Sequence, residues 1–455
     1  MQPSLIRDIG SSFTGRVLAP DDADFEAIAG VHQLAAIGRP AVVVRPRDAA
    51  DVARAIAFAR EQGLELAVRG GGHSSAGHST GDGVLVIDMR GMRDLEIDAA
   101  ARRLRAGAGL DAGTVVAAAH EHGMTVPFGD TAAVGIAGIT LGGGMGYLSR
   151  EHGLTIDHLL SIDLVTADGR LVTASADHEP ELFWAIRGGG GNFGIVTSLE
   201  FGMVEAGMVY GGALLLPPTT DVLRGVTPLA GAAPRELGVV ANVMPAPPAP
   251  FVPPEMIGRP VVVIVGCYNG DAESGAAAWA PLRALARPIA DVVGPMPYPA
   301  LYRFTEAAAL PAVGVSRSMF VDVVDDMVVQ TLRAAYLASP GVRTLIQVRV
   351  LGGAVADVPS AATAYAHRTA PAHILALATA ATAETAGPCR DWADEILHQL
   401  RARGIGAYAN FLEDEGEARV RDAYPNTTYR RLAAVKAAWD PQNVFRRNQN
   451  IRPAV

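Results

Sequence analysis

The sequence predicts an α+β protein in two parts, and three observations carry that expectation. Short β-branched strands alternate with amphipathic helices over about the first 205 residues. The chain then changes character, with prolines crowded between Pro217 and Pro254 and strand patterns of a different kind beyond them. Hydrophobic residues make up 49% of 455, enough for a substantial core, and the length suggests two or three domains. A boundary is therefore expected near residue 205, with a second domain over 206–400 and a C-terminal segment, 401–455, returning to the first.

The elements follow in order. Ala41 to Arg45 is a β-branched strand, and Asp48 to Gln62 carries Val52, Ala55, Ile56 and Ala59 at helical spacing, closed by Gly63. Leu64 to Val68 and Val84 to Asp88 read as strands, and Asp111 to His122 as a helix stopped at Gly123. His120 and His122 fall at that helix end, where the dipole favours them, and carry no expected chemistry. Leu159 to Ala167 runs into Asp168-Gly169, a hairpin signal, and Arg170 to Thr173 returns. Ile195 to Val204 is the last strand of this unit.

In the second half, the proline-rich stretch from 217 to 254 reads as a loop or strand-bounding insertion and hardly as a helix. Val261 to Cys267 is a buried strand, and Leu345 to Leu351 another, with Gln347 and Arg349 on one face. Ile374 to Ala378 is a third strand despite its alanines, and Asp391 to Arg403 is helical. Asp322, Asp325 and Asp326 fall at helical spacing and read as a solvated face.

Composition removes several function classes. Thirty-eight basic residues face 47 acidic ones with no Lys/Arg run, so no nucleic-acid partner is expected. No apolar run reaches the ~18 residues of a membrane span. Met1 to Asp8 lacks the pattern of an ordinary secretory signal. Two cysteines, Cys267 and Cys389, in so long a chain fit a reducing compartment, so a cytoplasmic protein is expected. The 11 histidines show no metal-binding spacing, and no metal is expected.

Three glycine clusters carry the chemistry: Arg69-Gly-Gly-Gly-His73, Gly142-Gly-Gly-Met-Gly146 and Gly188 to Gly194. Glycines let backbone N–H groups close on an anion with no Cβ in the way. The first cluster is not a phosphate loop of the Gly-Lys-Ser/Thr kind, nor a Gly-x-Gly-x-x-Gly dinucleotide fingerprint with its acidic partner. Three such clusters in one half of a chain suggest a large phosphate-bearing cofactor lying across the domain.

Taken together, Arg69 to Ser75, Gly135 to Gly146, Leu148 to Asp157, Trp184 to Val196 and Asn443 to Ile451 resemble the FAD-linked oxidases of the vanillyl-alcohol-oxidase superfamily. The nearest likeness is to the berberine-bridge-enzyme-like branch that includes 6-hydroxy-nicotine oxidases. The resemblance implies an FAD-binding domain of that superfamily's type and a substrate domain whose antiparallel sheet is flanked by helices. It assigns to the cofactor Arg69, Gly70, Gly71, Gly72, His73, Ser74, Gly77 and His78, and Thr131, Gly135, Gly138, Gly142, Gly143 and Gly146. It further assigns Gly194, Ile195 and Val196, and Tyr408, Asn410 and Asn448. His73 matches the histidine that bonds covalently to the flavin 8α-methyl group. Relatives with a second bond use a cysteine where this chain has Thr131, so one covalent link, through His73 only, is expected.

The resemblance also implies oxidation of a small organic substrate by hydride transfer to the flavin, with dioxygen as reoxidant and hydrogen peroxide as product. A dehydrogenase with another acceptor, or a tailoring oxidase of polyketides or alkaloids, fits the same scaffold. Tyr408 matches a tyrosine near the flavin that in some relatives takes the substrate proton. A phenol of pKa ~10 needs a positive neighbour for that, and Arg349 is the expected one. Other relatives use a glutamate on the strand after a His-Arg pair, but the segment after His367-Arg368 has no carboxylate. Gln347 and Arg349, and less firmly Tyr302, are expected on the substrate wall.

Overall fold

A computed structural model describes residues 13–25, 29–36, 38–306 and 310–454, so the reading of Met1 to Asp8 lies outside the described residues. A four-stranded sheet comes first, in the order Arg16–Leu18, Val42–Arg45, Leu85–Asp88, Leu66–Arg69, its last three strands parallel. The helix Ala49–Glu61 supplies one crossover. Asp48 caps it by accepting from the Asp51 N–H, and Gly63 closes it at φ +64°. The three-residue register of Val42–Val44 on Leu85–Ile87 is fully buried, which explains the near-continuous apolar pattern of a parallel strand.

A five-stranded antiparallel sheet follows, ordered Leu95–Asp98, Arg103–Gly107, Ile195–Gly202, Leu159–Val165, Leu171–Ser175. The hairpin at Asp168-Gly169 forms as the dipeptide predicts, with Gly169 at φ +84°. The helix Ala112–His120 starts at its Asp111 cap, as expected.

Most of the remaining strands join one nine-stranded sheet. Its path runs Ala290–Asp291, Met208–Leu216, Pro260–Tyr268, Leu237–Pro245, Arg343–Val350, Ala372–Ala380, Val313–Val321, Gly404–Gly406, and Gly294–Pro297 pairs off Met208–Leu216. Its residues alternate between two cores with period two. Val239, Ala241, Val262, Ile264, Ile346, Val348, Ile374 and Ala376 share one apolar cluster. The helices Thr220–Ala232, Asp326–Leu337 and Gly387–Leu400 contribute to that cluster as well. Val240, Val263, Val265 and Cys267 face the other way, into the cluster that also holds the core of the first half. Arg349 and His373 are cross-strand partners in the row of Val240, and Gln347 is the partner of Asn242, so four polar residues ride on the second face.

Two readings are corrected. The stretch after Pro217 is not only loop: Thr220–Ala232 is a helix with Pro228 inside it. An interior proline costs a helix ~3 kcal/mol. Thr219 caps this one by accepting from the Val222 N–H, Val222, Val226 and Ala230 are buried, and the buried Arg150 guanidinium donates to the carbonyls of Ala230, Gly231 and Ala233 at its end. Asp322, Asp325 and Asp326 do not share a helix face. Asp325 is the N-cap of Asp326–Leu337, accepting from the Val328 N–H, and Asp322 precedes the helix. Cys267 and Cys389 are both buried and unbonded to each other.

Candidate cofactor and active site

The first nest begins where the strand Leu66–Arg69 ends, so its position is set by the parallel sheet. Gly72 takes φ +75°, a conformation open to glycine, and turns the chain into His73. The backbones of Gly71 and Gly135 meet directly: a Cβ on Gly71 would lie 2.4 Å from the Gly135 nitrogen, and one on Gly135 2.3 Å from the Gly71 nitrogen. That contact lays the nest against the start of the helix Ile136–Gly142. Side chains at either glycine would force the two apart.

A cavity of about 410 Å³ opens at this junction. Its wall takes in Gly70 to Ser75 and His78 from the nest, Gly129 to Thr131, the start of the helix at Gly135 and Gly138, Gly190 to Val196 (Phe193 excepted), Tyr408 to Leu412, and Asn448. A Cβ on Gly70, Gly138 or Gly191 would meet nothing within 4 Å, so these glycines leave a bare backbone cradle. His78 Nε2 and Asn448 Oδ1 are buried polar atoms on this wall with no hydrogen-bond partner in the protein. Orphaned groups of this kind cost a few kcal/mol unless a bound molecule satisfies them. Bare amides, orphaned polar atoms and a long apolar-sided trough fit a dinucleotide-sized, phosphate-bearing group.

His73 is held neutral. Burial, then the neighbouring His32, depress its pKa to about 4, while a hydrogen bond to the Ala133 carbonyl opposes the shift. The ring is therefore uncharged at neutral pH, with one nitrogen protonated and the other carrying a lone pair. His78 is likewise depressed to about 4, by burial and then by Arg447. Arg447 is the one Lys or Arg side chain among the described residues on this wall, and it pairs with Glu65 at 3.1 Å.

The C-terminal residues on the wall are fixed by a buried ion pair. Lys436 Nζ donates to Asp440 at 2.7 Å, to the Asn192 carbonyl at 2.7 Å and to the Phe445 carbonyl at 2.8 Å. Neither side chain of the pair has any exposure. Asn448 then donates to the Gly191 carbonyl at 3.1 Å.

Tyr408 also lines the cavity and is 3% exposed. Its hydroxyl oxygen accepts from the Gly144 N–H at 2.9 Å and from the Asn410 side-chain amide at 3.0 Å. Beside it lies Asp130, the one acidic side chain among the described residues lining the cavity. Asp130 is paired with Arg349 at 2.7 Å, and Arg349 also lies over the Phe411 ring.

Several expected site residues sit elsewhere. Arg69 is buried beneath the nest, its guanidinium against Gly72, with burial lowering its pKa to about 10. Gly77 forms the turn that closes the nest, its N–H donating to the Ser74 carbonyl. Gly142, Gly143 and Gly146 are packing glycines: a Cβ would collide with Asn410 at 2.1 Å, Tyr365 at 2.9 Å and the Phe128 carbonyl at 2.0 Å. Gln347 and Arg349 do not line the cavity. Gln347 donates to Asn242 at 2.8 Å, and Arg349 lies behind Asp130. Arg349 lowers the Tyr408 phenol, but Asp130 opposes it, and burial, the largest influence, pushes the pKa up overall despite the two hydrogen bonds its oxygen accepts. Tyr302 is buried, its hydroxyl donating to the Gly129 carbonyl at 3.1 Å. Sequence reasoning missed His32 and Asp130. His32 lies in a stretch with no motif, and Asp130 becomes distinctive only through Arg349, which is remote in the chain.

Comparison with known proteins agrees with this geometry. A family model of the FAD binding domain matches residues 40–175, and one for berberine and berberine like proteins matches residues 407–452. The (R)-6-hydroxynicotine oxidase of Paenarthrobacter nicotinovorans is 32% identical over 456 residues, covering 97% of each chain. The structure of BBE-like 1 from Physcomitrella patens superposes with a TM-score of 0.87 at 25% identity, over 98% of this chain and 99% of that one. A glucooligosaccharide oxidase from Acremonium strictum, whose FAD is described as 6-S-cysteinyl and 8α-N1-histidyl, shares the fold at a TM-score of 0.88 and 20% identity, over 99% of this chain and 100% of that one. The nest, the cradle beside it and a near full-length relative lead to one conclusion: this chain is an FAD-linked oxidoreductase of the vanillyl-alcohol-oxidase superfamily, and belongs to its berberine-bridge-enzyme-like branch.

Proposed function

We propose that this flavoprotein is a small-molecule oxidase whose FAD is tethered once, through His73. Residues 1–205 with 401–455 would form the FAD-binding part, and 206–400 the substrate part. The observation that carries the reading is the place of His73: a buried, neutral imidazole at the end of the glycine nest, on the cavity wall. A second tether has no donor. Thr131 is on the wall where a thiolate would be needed, and neither Cys267 nor Cys389 lines the cavity.

The nest at 70–74 and the backbone at Gly135 and Gly138 would hold the pyrophosphate, with Gly194, Ile195, Val196, Asn410 and Asn448 along the rest of the cofactor. Bound there, FAD would supply the hydride acceptor and the route of electrons to dioxygen. The protein's part is placement and proton handling. Tyr408 accepts two hydrogen bonds through its oxygen, which leaves its own proton for a substrate heteroatom. Asp130, held by Arg349, is the carboxylate near enough to the cavity to take a proton from that heteroatom or from water between them. Their neutral sum gives no free charge for an ionic substrate, so an uncharged polar substrate fits best.

Stopped-flow reoxidation of the reduced protein in air tests the oxidase reading, and reoxidation over minutes would overturn it. His73→Ala should leave FAD extractable by acid, whereas an acid-stable flavin in that variant would place the tether elsewhere.

A further inference from the structure

His73 does not stand alone on the cavity wall. The His32 ring lies on it, with centroids 4.8 Å apart and planes 22° from parallel. His32 is itself fixed from two sides. Its N–H donates to the Gly72 carbonyl at 3.1 Å, and its carbonyl accepts from the Ala312 N–H at 3.1 Å. The next residue, Gln33, clamps Gly314, donating to its carbonyl at 2.7 Å and accepting from its N–H at 3.2 Å. Residue 32 is thereby strapped between the nest and the strand Val313–Val321.

The stacked His32 ring covers one face of the His73 imidazole and so limits which way its plane can turn. Without such a neighbour the ring is free to rotate about its own side-chain bonds.

We propose that His32 is the positioning residue for flavin attachment, holding the His73 ring in the plane from which its bare nitrogen reaches the flavin 8α carbon. The proposal rests on the reading of His73 as the tether. In that attachment a C–H bond of the methyl group breaks and an N–C bond to His73 forms. Two protons leave, one from the methyl group and one from the imidazole. The two electrons reduce the flavin and pass to dioxygen, giving hydrogen peroxide. A misalignment of about 1 Å in such a step costs up to ~100-fold in rate.

The test follows acid-stable flavin by in-gel fluorescence after FAD is added to protein purified from riboflavin-starved cells, with noncovalent FAD affinity measured in parallel. His32→Ala should slow tethering by about tenfold or more when compared at FAD concentrations that saturate the noncovalent site. His32→Phe keeps a flat ring on His73 and should restore the rate to within about threefold. His32→Gln keeps the backbone bonds without a ring; it should be slow, and it replaces the alanine variant if that one folds poorly. Tethering at the parental rate in the ringless variants, or a phenylalanine variant as slow as they are, would overturn the role of His32. Tethering that persists in His73→Ala would instead overturn the attachment site, so the two failures are distinct.

Discussion

Replacing Lys436 with methionine should both destabilise the fold and open the C-terminal wall of the cofactor cavity. The side chain is fully buried, and its ammonium makes three short bonds. Removing one partner of a buried pair typically costs 3–5 kcal/mol, because the other charge is left behind. Here Asp440 keeps two donors, the N–H groups of Val444 and Phe445 at 2.8 Å each, which places its share near the lower bound, about 3 kcal/mol. The Asn192 carbonyl loses the ammonium and adds about 1 kcal/mol, while the Phe445 carbonyl still accepts from Asn448 at 3.1 Å. The expected loss is therefore about 4 kcal/mol against a typical total of ~5–15 kcal/mol. Urea unfolding of FAD-loaded protein, followed by tryptophan emission and flavin release separately, would measure it. The double variant Lys436→Met with Asp440→Asn should recover about half of the loss, since no charge then remains buried. A single variant losing less than about 1 kcal/mol, or a double variant worse than the single, would refute the assignment of this pair as the clasp of the wall.

Three further outcomes are expected. Gly135→Ala puts a Cβ 2.3 Å from the backbone nitrogen of Gly71, so it should weaken FAD binding at least tenfold and cost about 1–3 kcal/mol, read by FAD titration and thermal melting. Tyr408→Phe should slow flavin reduction by substrate without releasing FAD; unchanged reduction kinetics would remove its hydroxyl from the mechanism. Glu151 is pushed up to about 7 by burial, against a bond from Asn269 and with Glu236 adding to the rise, and His152 beside it is held to about 4. Its folded pKa is raised, so its stabilising protonated form is complete below about 4.5 and is lost as pH rises through 7. Glu151→Gln should thus raise the urea midpoint at pH 8.5 and leave it unchanged at pH 4, and a gain at both would assign the effect to packing.

Local rules were enough for much of the scaffold. The helix over 49–61 has its cap, apolar stripe and terminal glycine within one stretch of chain, and the hairpin at 168–169 is specified by a dipeptide. Where local and tertiary forces disagreed, the sequence misled. The helix at 220–232 survives Pro228 because Arg150, 80 residues from Ala230, caps its end, and of the three aspartates Asp322 precedes the helix, Asp325 caps it and Asp326 begins it. The glycines show the same division. Gly70, Gly138 and Gly191 face open space in the cradle, but Gly142, Gly143 and Gly146 owe their lack of a side chain to Asn410, Tyr365 and Phe128 pressed against them.

What the sequence determined by itself was the α+β class, the nest with His73 at its end, and the absence of a cysteine at position 131. These are properties of contiguous residues, and the chemistry of a glycine nest or a missing thiol does not depend on what folds over it. The tertiary structure alone decided that His32 stacks on His73, that Asp130 pairs with Arg349, and that Lys436 ties the C-terminal segment to Asn192. Each of those depends on pairing residues tens to hundreds of positions apart, and the charge state of a buried group is set by the neighbours that folding brings to it.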